Sequence, residues 1–134
     1  MDPCIQVAIV DDSAAVRMSL RSMLKLDPRL TLVAEAENGS AAIAMVEEHR
    51  PEVVLMDITM PVLDGIEATR IIRSKFSDTK VIILTLDSDR TLSDTALQAG
   101  ACQFLNKYCG QEKLFKAIKD CSSGPVKLVG HPPH

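Results

Sequence analysis

Short apolar runs alternate along the chain with segments of helical periodicity. The runs are rich in Val, Ile and Leu and are bounded by polar or turn residues, which is typical of β-strands. They are "IQVAIV" (5–10), "LTLVAEA" (30–36), "EVVLMD" (52–57), "KVIILT" (80–85) and "CQFLN" (102–106). Residues 53–56 and 81–84 are apolar at every position, as expected of parallel strands that helices cover on both faces.

The segments between the runs predict amphipathic helices. Apolar residues recur at intervals of one helical turn. This spacing starts at Val16 in the first segment, at Leu92 in the fourth and at Leu114 in the fifth. Two further helices are expected near 40–49 and 65–75. The chain is therefore a (βα)5 alternation, which predicts an α/β protein with right-handed crossovers.

Capping residues agree with these helix boundaries. Ser13 and Asp64 are suited to N-caps, and Gly100 is suited to the end of the fourth helix. The fold predicted is flavodoxin-like and doubly wound, with five parallel strands in the order 2-1-3-4-5. In such sheets ligands bind outside the carboxyl ends of the strands.

Reactive side chains follow four of the five predicted strands. The first strand ends in Asp11 and Asp12, the third in Asp57, the fourth in Thr85 and the fifth in Lys107. Each alone would more often be a cap, a β-former or a surface charge. Their joint occurrence at neighbouring strand ends predicts one site.

The chemistry of that set is specific. Crowded carboxylates repel one another unless a cation lies between them, and an all-oxygen ligand set suits Mg²⁺. A hydroxyl and an ammonium could then meet the oxygens of a phosphoryl group. Asp57 is central enough to be the nucleophile, and carboxylate attack would give an aspartyl phosphate.

Composition narrows the class of protein further. The 134 residues fit one domain, and the formal net charge of −3 gives no general attraction to nucleic acid. No apolar stretch is long enough for a membrane span, and the acidic N-terminus does not resemble a signal peptide. A cytoplasmic location and no membrane partner are therefore expected.

The cysteines and the C-terminal segment carry no predicted site. Cys4, Cys102, Cys109 and Cys121 form no CxxC pair, so four reduced thiols are expected. Periodicity is lost from residue 122, where Ser, Gly and Pro appear. We predict one domain over residues 1–121 and a linker or tail over 122–134, whose histidines would lack a rigid element to hold a metal.

Four motifs together resemble the receiver domain of two-component response regulators. They are "VDD" (10–12), "LMDITMPVLDG" (55–65), "ILT" (83–85) and "FLNK" (104–107). The resemblance covers residues 4 to about 122. The stretch 30–73 further resembles receivers of LuxR-type (NarL-type) transcription regulators, which are joined to a helix-turn-helix DNA-binding domain.

The resemblance implies a role for each matched residue. Asp57 would accept a phosphoryl group from a sensor histidine kinase. Asp12, Asp57 and the backbone carbonyl of Thr59 would bind Mg²⁺ directly, and Asp11 would bind it through water. Lys107 would pair with Asp57 and then with the phosphate.

The resemblance also implies a conformational switch. Thr85 would move toward the phosphate and Phe104 would turn inward, while Pro61 and Gly65 would shape the loop after Asp57. Such a domain signals rather than acting as a true enzyme, since it catalyses only its own phosphorylation and autodephosphorylation. Homodimerisation on phosphorylation is compatible with it, and DNA would be bound only through a separate output domain.

Some positions depart from the commonest family pattern, and alternatives remain. Leu86 is bulky where a small residue is frequent, and Tyr108 replaces a frequent proline. The main alternative is a pseudo-receiver, an interaction module that is never phosphorylated. A haloacid-dehalogenase-like phosphatase would need a second Asp at Thr59, and a nucleotide-binding protein would need a Gly-rich loop after the first strand.

Overall fold

The computed structural model describes residues 4–58, 64–86 and 90–129, with side chains through residue 122. Its five strands form one parallel sheet in the order β2-β1-β3-β4-β5, which confirms the predicted flavodoxin-like fold. The strands are β1 (Ile5–Val10), β2 (Leu30–Ala36), β3 (Val53–Met56), β4 (Lys80–Thr85) and β5 (Gln103–Asn106). The helices are α1 (Ala14–Leu24), α2 (Gly39–His49), α3 (Gly65–Lys75), α4 (Arg90–Gln98) and α5 (Gln111–Val129).

The helices cover both faces of the sheet, which explains why the central strands are apolar throughout. On one face, α2, α3 and α4 contribute side chains such as Val46, Ile72 and Ala96 to a core cluster. On the other face, α1 and α5 contribute Leu24 and Ile118 to a second cluster. Every residue of β3 is buried because successive side chains enter opposite clusters.

Backbone hydrogen bonds continue the sheet one residue beyond three strands. The amide of Asp11 donates to Ala36 (3.1 Å), the amide of Asp57 to Val10 (2.9 Å) and the amide of Lys107 to Thr85 (2.9 Å). The residues that follow β1, β3 and β5 are thus fixed by main-chain bonds. Their side chains are delivered to the same edge of the sheet.

The predicted caps are present where the sequence places them. The Ser13 side chain accepts from the amide of Val16 (3.2 Å), and the Asp64 side chain accepts from the amide of Glu67 (2.9 Å). Gly100 has φ +112° just after α4, a conformation that L side chains rarely adopt. Asn38 caps α2 in the same manner as Ser13, a role that the sequence analysis did not assign.

The C-terminal helix is longer than predicted. Periodicity is lost after residue 121, yet α5 continues to Val129. Extending an existing helix costs less than nucleating one, so the packed turns up to Cys121 allow poorer helix formers to follow. The division into a domain over 1–121 and a tail over 122–134 stays a prediction.

The expectation of four reduced thiols is wrong for one pair. Cys102 and Cys121 form a disulfide with their Cα atoms 6.2 Å apart, while Cys4 and Cys109 are free. Sequence spacing gave no sign of this, because α5 brings Cys121 back beside the start of β5 only in the folded chain. Among the described residues, no helix is long and apolar enough to span a membrane.

A buried carboxylate joins the α1–β2 connection to α5. Asp27 is 8% exposed; it accepts hydrogen bonds from Lys119 Nζ (2.6 Å) and from the amide of Arg29 (2.9 Å). The hydrogen bond from Lys119, followed by that from Arg29, holds the pKa of Asp27 below its usual value. The carboxylate therefore stabilises the fold wherever it is ionised.

Asp27→Asn should lower the free energy of unfolding at neutral pH by about 1–2 kcal/mol, because charge-assisted hydrogen bonds are lost. A depressed folded-state pKa contributes stability above the unfolded value of about 3.9, and that stability is lost as pH falls through the folded pKa. Urea unfolding at several pH values should show that the difference in the free energy of unfolding between wild type and variant becomes smaller below about pH 4.

Asp120→Asn is the matched control for this test. Its partner Lys116 lies at 2.7 Å, but the two side chains are 53% and 77% exposed, so little change is expected. If the stability difference between wild type and Asp27→Asn stayed constant as the pH was lowered below about 4, the stabilising role of the ionised carboxylate would be contradicted.

Candidate functional site: an acidic cleft at the carboxyl end of the sheet

Two of the three predicted acids are buried at adjacent strand ends. Asp11 follows β1 and is 2% exposed, whereas Asp57 follows β3 and is 6% exposed. β1 and β3 are neighbours, and the Asp57 amide bonds to Val10, so the two carboxylates face one cleft. This is the point where the strand order reverses, the usual ligand position in doubly wound sheets.

Asp12 completes a cluster that could hold a metal ion. One carboxylate oxygen from each of Asp11, Asp12 and Asp57 lies within 4.8 Å of the others, with Asp12 on the exposed side. Carboxylate oxygens with an open, solvent-facing side suit a hard cation such as Mg²⁺, which keeps part of its water shell. The donor set therefore fits the predicted cofactor.

Lys107 lies between the two buried acids. Its Nζ donates to Asp11 Oδ2 at 2.7 Å and lies 3.3 Å from Asp57 Oδ1. Burial alone would lower the pKa of Lys107, but hydrogen bonding to Asp11 and the charges of both acids raise it overall. The side chain is thus an ammonium at neutral pH. It lies closer to Asp11 than to the predicted partner, Asp57.

Among the described acids of the cleft, Asp57 is the one whose ionisation is disfavoured by its surroundings. Burial first, and then the charge of Asp11, raise its pKa above the usual value, while Lys107 acts in the opposite direction without cancelling them. The charged form is therefore disfavoured relative to an exposed aspartate. A cation bound among the three acids would relieve that cost.

Asp11 is oriented by contacts from the start of α1. The amide of Ser13 donates to Asp11 Oδ1 (2.9 Å), and the guanidinium of Arg17 donates to the Asp11 carbonyl (2.7 Å). Sequence reasoning missed Arg17. Its signal would have been a cation on the first turns of the helix that follows the two acids.

The acid at the end of β2 is not part of the cleft. The Glu35 carboxylate accepts hydrogen bonds from Arg21 at 2.7 and 3.0 Å, which lower its pKa, and Arg17 lies 3.3 Å away. Glu37 is exposed. Among the described residues, the candidate site therefore draws on the ends of β1, β3, β4 and β5.

Thr85 and Phe104, the two predicted switch residues, lie on neighbouring strands. Thr85 ends β4 and is 3% exposed, and its carbonyl accepts from the amide of Lys107. Phe104 is half-buried on β5 and packs against the core cluster shared by α2, α3 and α4. Predicted residues Thr59 and Pro61 lie outside the described part of the chain.

Leu86 and Tyr108, the two residues that depart from the pattern of the resembled family, line one cavity beside Lys107. Leu86 is 58% exposed and Tyr108 is 84% exposed, and both line a cavity of about 350 Å³. Lys107 itself, Leu84 of β4 and residues of α1 such as Val16 form other walls. Leu86 thus borders the same cavity as Lys107.

Gly65 keeps the backbone after Asp57 close to α3. A Cβ atom at Gly65 would lie 2.0 Å from the carbonyl oxygen of Asp57, a distance that backbone atoms cannot accommodate. The amide of Gly65 also donates to the carbonyl of Ile58 (2.9 Å). The predicted shaping role of Gly65 thus has a geometric basis at the first residue of α3.

Comparison with known proteins identifies the family of this fold and site. Residues 7–119 match the family described as the response regulator receiver domain. The chain is 35% identical over 128 residues to the transcriptional regulatory protein DegU of Brevibacillus brevis, covering 96% of this chain and 53% of that protein. It is 37% identical over 126 residues to the transcriptional regulatory protein LiaR of Bacillus subtilis (strain 168), covering 92% and 59%.

Solved structures agree with the sequence comparison. The signal receiver domain of the response regulator NarL from Mycobacterium tuberculosis superposes with a TM-score of 0.87 at 31% identity, covering 91% of this chain and 98% of that one. A LuxR-family two-component response regulator from Aurantimonas sp. SI85-9A1 superposes with a TM-score of 0.86 at 31% identity, covering 90% of this chain and 86% of that one.

The chain belongs to the response regulator receiver domain family, and the predicted likeness to receivers of LuxR-type regulators is confirmed. Receiver domains are signalling domains that work by phosphorylation, take their input from sensor histidine kinases and generally bind Mg²⁺ at an acidic pocket. The chain spans a little over half the length of the curated relatives described above.

Gly65→Ala should lower the free energy of unfolding by about 3 kcal/mol, because the new methyl group overlaps the Asp57 carbonyl and the backbone must shift. Gly110→Ala is the control: its φ is +94°, but nothing lies within 4 Å of the added Cβ, so only backbone strain of about 1 kcal/mol is expected. Urea unfolding of both variants measures the difference. Equal losses would contradict the close approach at Gly65.

Proposed function

We propose that this receiver accepts a phosphoryl group on Asp57 from a sensor histidine kinase in the presence of Mg²⁺, and that phosphorylation switches an output. The observation that carries the proposal is the position of Asp57. Its carboxylate is buried at the mouth of the cleft, 3.3 Å from the Lys107 ammonium and beside two further carboxylates.

The proposed reaction is a phosphoryl transfer to a carboxylate. An Asp57 carboxylate oxygen attacks phosphorus, and the bond from phosphorus to the imidazole nitrogen of the kinase histidine breaks. The product is an aspartyl phosphate, and the histidine, whose other ring nitrogen carries a proton, takes the electron pair of the broken bond and leaves as the neutral imidazole. Little covalent chemistry is required of the protein, so positioning and charge neutralisation carry the catalysis.

Two side chains beside the nucleophile would neutralise the charge of the phosphoryl group. Lys107 is held as an ammonium by Asp11 and Asp57, and it can contact an oxygen of the incoming group. Thr85, at the adjacent strand end, would donate its hydroxyl to another oxygen. Hydrolysis of the aspartyl phosphate at the same site, the autodephosphorylation step, would return the domain to its resting state.

Asp11, Asp12 and Asp57 would hold the metal ion, together with the backbone carbonyl of Thr59, which lies outside the described residues. Bound there, Mg²⁺ would offset the repulsion among the acids and the charge of the phosphoryl oxygens. The 4.8 Å cluster of oxygen donors supports this assignment. Asp11 is already committed to Lys107, which supports a contact to the metal through water.

The proposed output is a DNA-binding domain that lies outside this chain. The relatives DegU and LiaR are transcriptional regulatory proteins, and the matched segment covers only 53% and 59% of their length. The negative formal charge supports DNA contact through another domain rather than through the receiver. We further propose that the receiver works in the cytoplasm, where kinase and DNA are both accessible, and that it can dimerise when phosphorylated.

Intact-mass measurement after incubation with Mg²⁺ and a small-molecule phosphodonor should show a gain of one phosphoryl group. Asp57→Asn should show none, because the nucleophile is removed, and a chelator should abolish the gain in wild type. The amide keeps the size of the side chain, which makes the variant a matched control. No gain with any donor would contradict the proposal and favour a receiver that acts without phosphorylation.

Thr85→Ala should still be phosphorylated on Asp57 but should transmit the change poorly, because its hydroxyl is the proposed contact to the phosphate. Hydrogen exchange in α4, β5 and α5, measured with and without phosphodonor, reports transmission separately from phosphorylation. Thr85→Ser keeps the hydroxyl and should behave as wild type. A full response from Thr85→Ala would exclude it as the relay.

A further inference from the structure

The Cys102–Cys121 disulfide closes a loop around the part of the receiver that the proposed switch would remodel. Cys102 immediately precedes β5, and Cys121 lies in α5, with their Cα atoms at 6.2 Å, within the usual range for a disulfide. The segment between them contains all of β5, including Phe104, and then Lys107 and the first turns of α5. The bond therefore joins the two ends of this functional segment.

The two cysteines differ in burial. Cys121 is 1% exposed and belongs to the core cluster with Leu105, Leu114 and Ile118. Cys102 is exposed, and its amide donates to the carbonyl of Val81 (2.7 Å), which fixes it at the edge of the sheet. Cys102 is thus the end of the disulfide that lies nearer to solvent, while its partner anchors the bond in the core.

Two noncovalent contacts hold the same stretch of α5 but connect it to other elements. Lys119 pairs with Asp27 of the α1–β2 connection at 2.6 Å, and Ser122 donates to Glu52, just before β3, at 3.2 Å. The disulfide adds a covalent link from this stretch to β5 itself. Breaking the link would leave α5 packed but free to shift relative to β5.

We propose that Cys102 and Cys121 are a reversible redox clasp that restrains α5 against β5 and so limits how far the receiver responds to phosphorylation. The second part of this proposal rests on the proposed phosphorylation of Asp57. Intracellular disulfides are usually transient or redox-sensing, which fits a regulatory pair better than a permanent link. Cys102 is the exposed residue of the pair, and a reversible bond requires that a thiol can approach one of its ends.

The reaction balances with a low-molecular-weight disulfide such as oxidised glutathione as the oxidant. The Cys102 thiolate attacks one sulfur of the oxidant and releases one thiol, which forms a mixed disulfide at the exposed position. The Cys121 thiolate then attacks the Cys102 sulfur and releases the second thiol. Two protein thiols are oxidised, one low-molecular-weight disulfide is reduced to two thiols, and the reverse sequence reopens the clasp.

The first experiment counts thiols in glutathione buffers of graded redox ratio, using alkylation, mass measurement and peptide mapping. The peptides that carry Cys102 and Cys121 should lose alkylation together as the buffer becomes oxidising, and should regain it on reduction. Cys102→Ser should leave Cys121 alkylated, and Cys121→Ala should stop at the mixed disulfide of Cys102 with glutathione, without an intramolecular bond. Pairing with Cys4 or Cys109, or thiols that stay alkylated at every ratio, would overturn the clasp.

The second experiment measures what the bond restrains. The oxidised protein should melt roughly 5–10 °C above the reduced protein, and amides in β5 and α5 should exchange at least about tenfold more slowly. Cys102→Ser should show no dependence on the buffer. Lys119→Met, two residues before Cys121, removes the noncovalent contact to Asp27 and should keep the dependence on the redox buffer. Equal hydrogen exchange in the oxidised and reduced wild-type protein would overturn the proposed restraint.

The third experiment separates the clasp from the proposed function. Oxidised and reduced proteins are treated with Mg²⁺ and phosphodonor, and both intact mass and hydrogen exchange are recorded. Both forms should gain one phosphoryl group, but the exchange change in α5 should be at least about threefold smaller in the oxidised form. An equal response would overturn the link to signalling. Absence of phosphorylation in both forms would instead refute the proposed function, while the first two experiments still decide the clasp.

Discussion

The crowding of three carboxylates at the end of a buried sheet is the constraint on which the rest of the structure depends. Asp11 and Asp57 are almost fully buried, and their mutual repulsion is offset only in part by Lys107. Charges in such surroundings are tolerated when they are paired and hydrogen-bonded. The sheet register, the start of α1 and the β5–α5 connection all serve to hold these groups in place.

The fold supplies this arrangement by simple means. Parallel strands that are covered on both faces can be apolar throughout, so the first polar residue after each strand falls at the edge of the core. Main-chain bonds then fix those residues individually, as the amides of Asp57 and Lys107 illustrate. Gly65 allows α3 to begin directly behind Asp57, because no side chain separates the two backbones there.

The sequence was sufficient for most of the fold because its patterns are local. Strand runs, helix periodicity and the caps Ser13 and Asp64 depend on near neighbours, and each is found in the structure. The convergence of acids and Lys107 followed from strand order. The disulfide and the preference of Lys107 for Asp11 depend on three-dimensional distance between elements far apart in sequence, which no local pattern encodes. The continuation of α5 reflects helix propagation rather than propensity.

The position of Lys107 makes the resting cleft asymmetric. One ammonium serves two carboxylates, and its shorter contact is to Asp11, at 2.7 Å against 3.3 Å to Asp57. Any group that adds negative charge to Asp57 would therefore compete with Asp11 for the same cation. The main-chain amide of Lys107 is bonded to Thr85, so the residue that both acids share is also tied to the end of β4. Lys107 is thus shared unequally by two neighbouring acids, and a change in the charge of either acid would change that sharing.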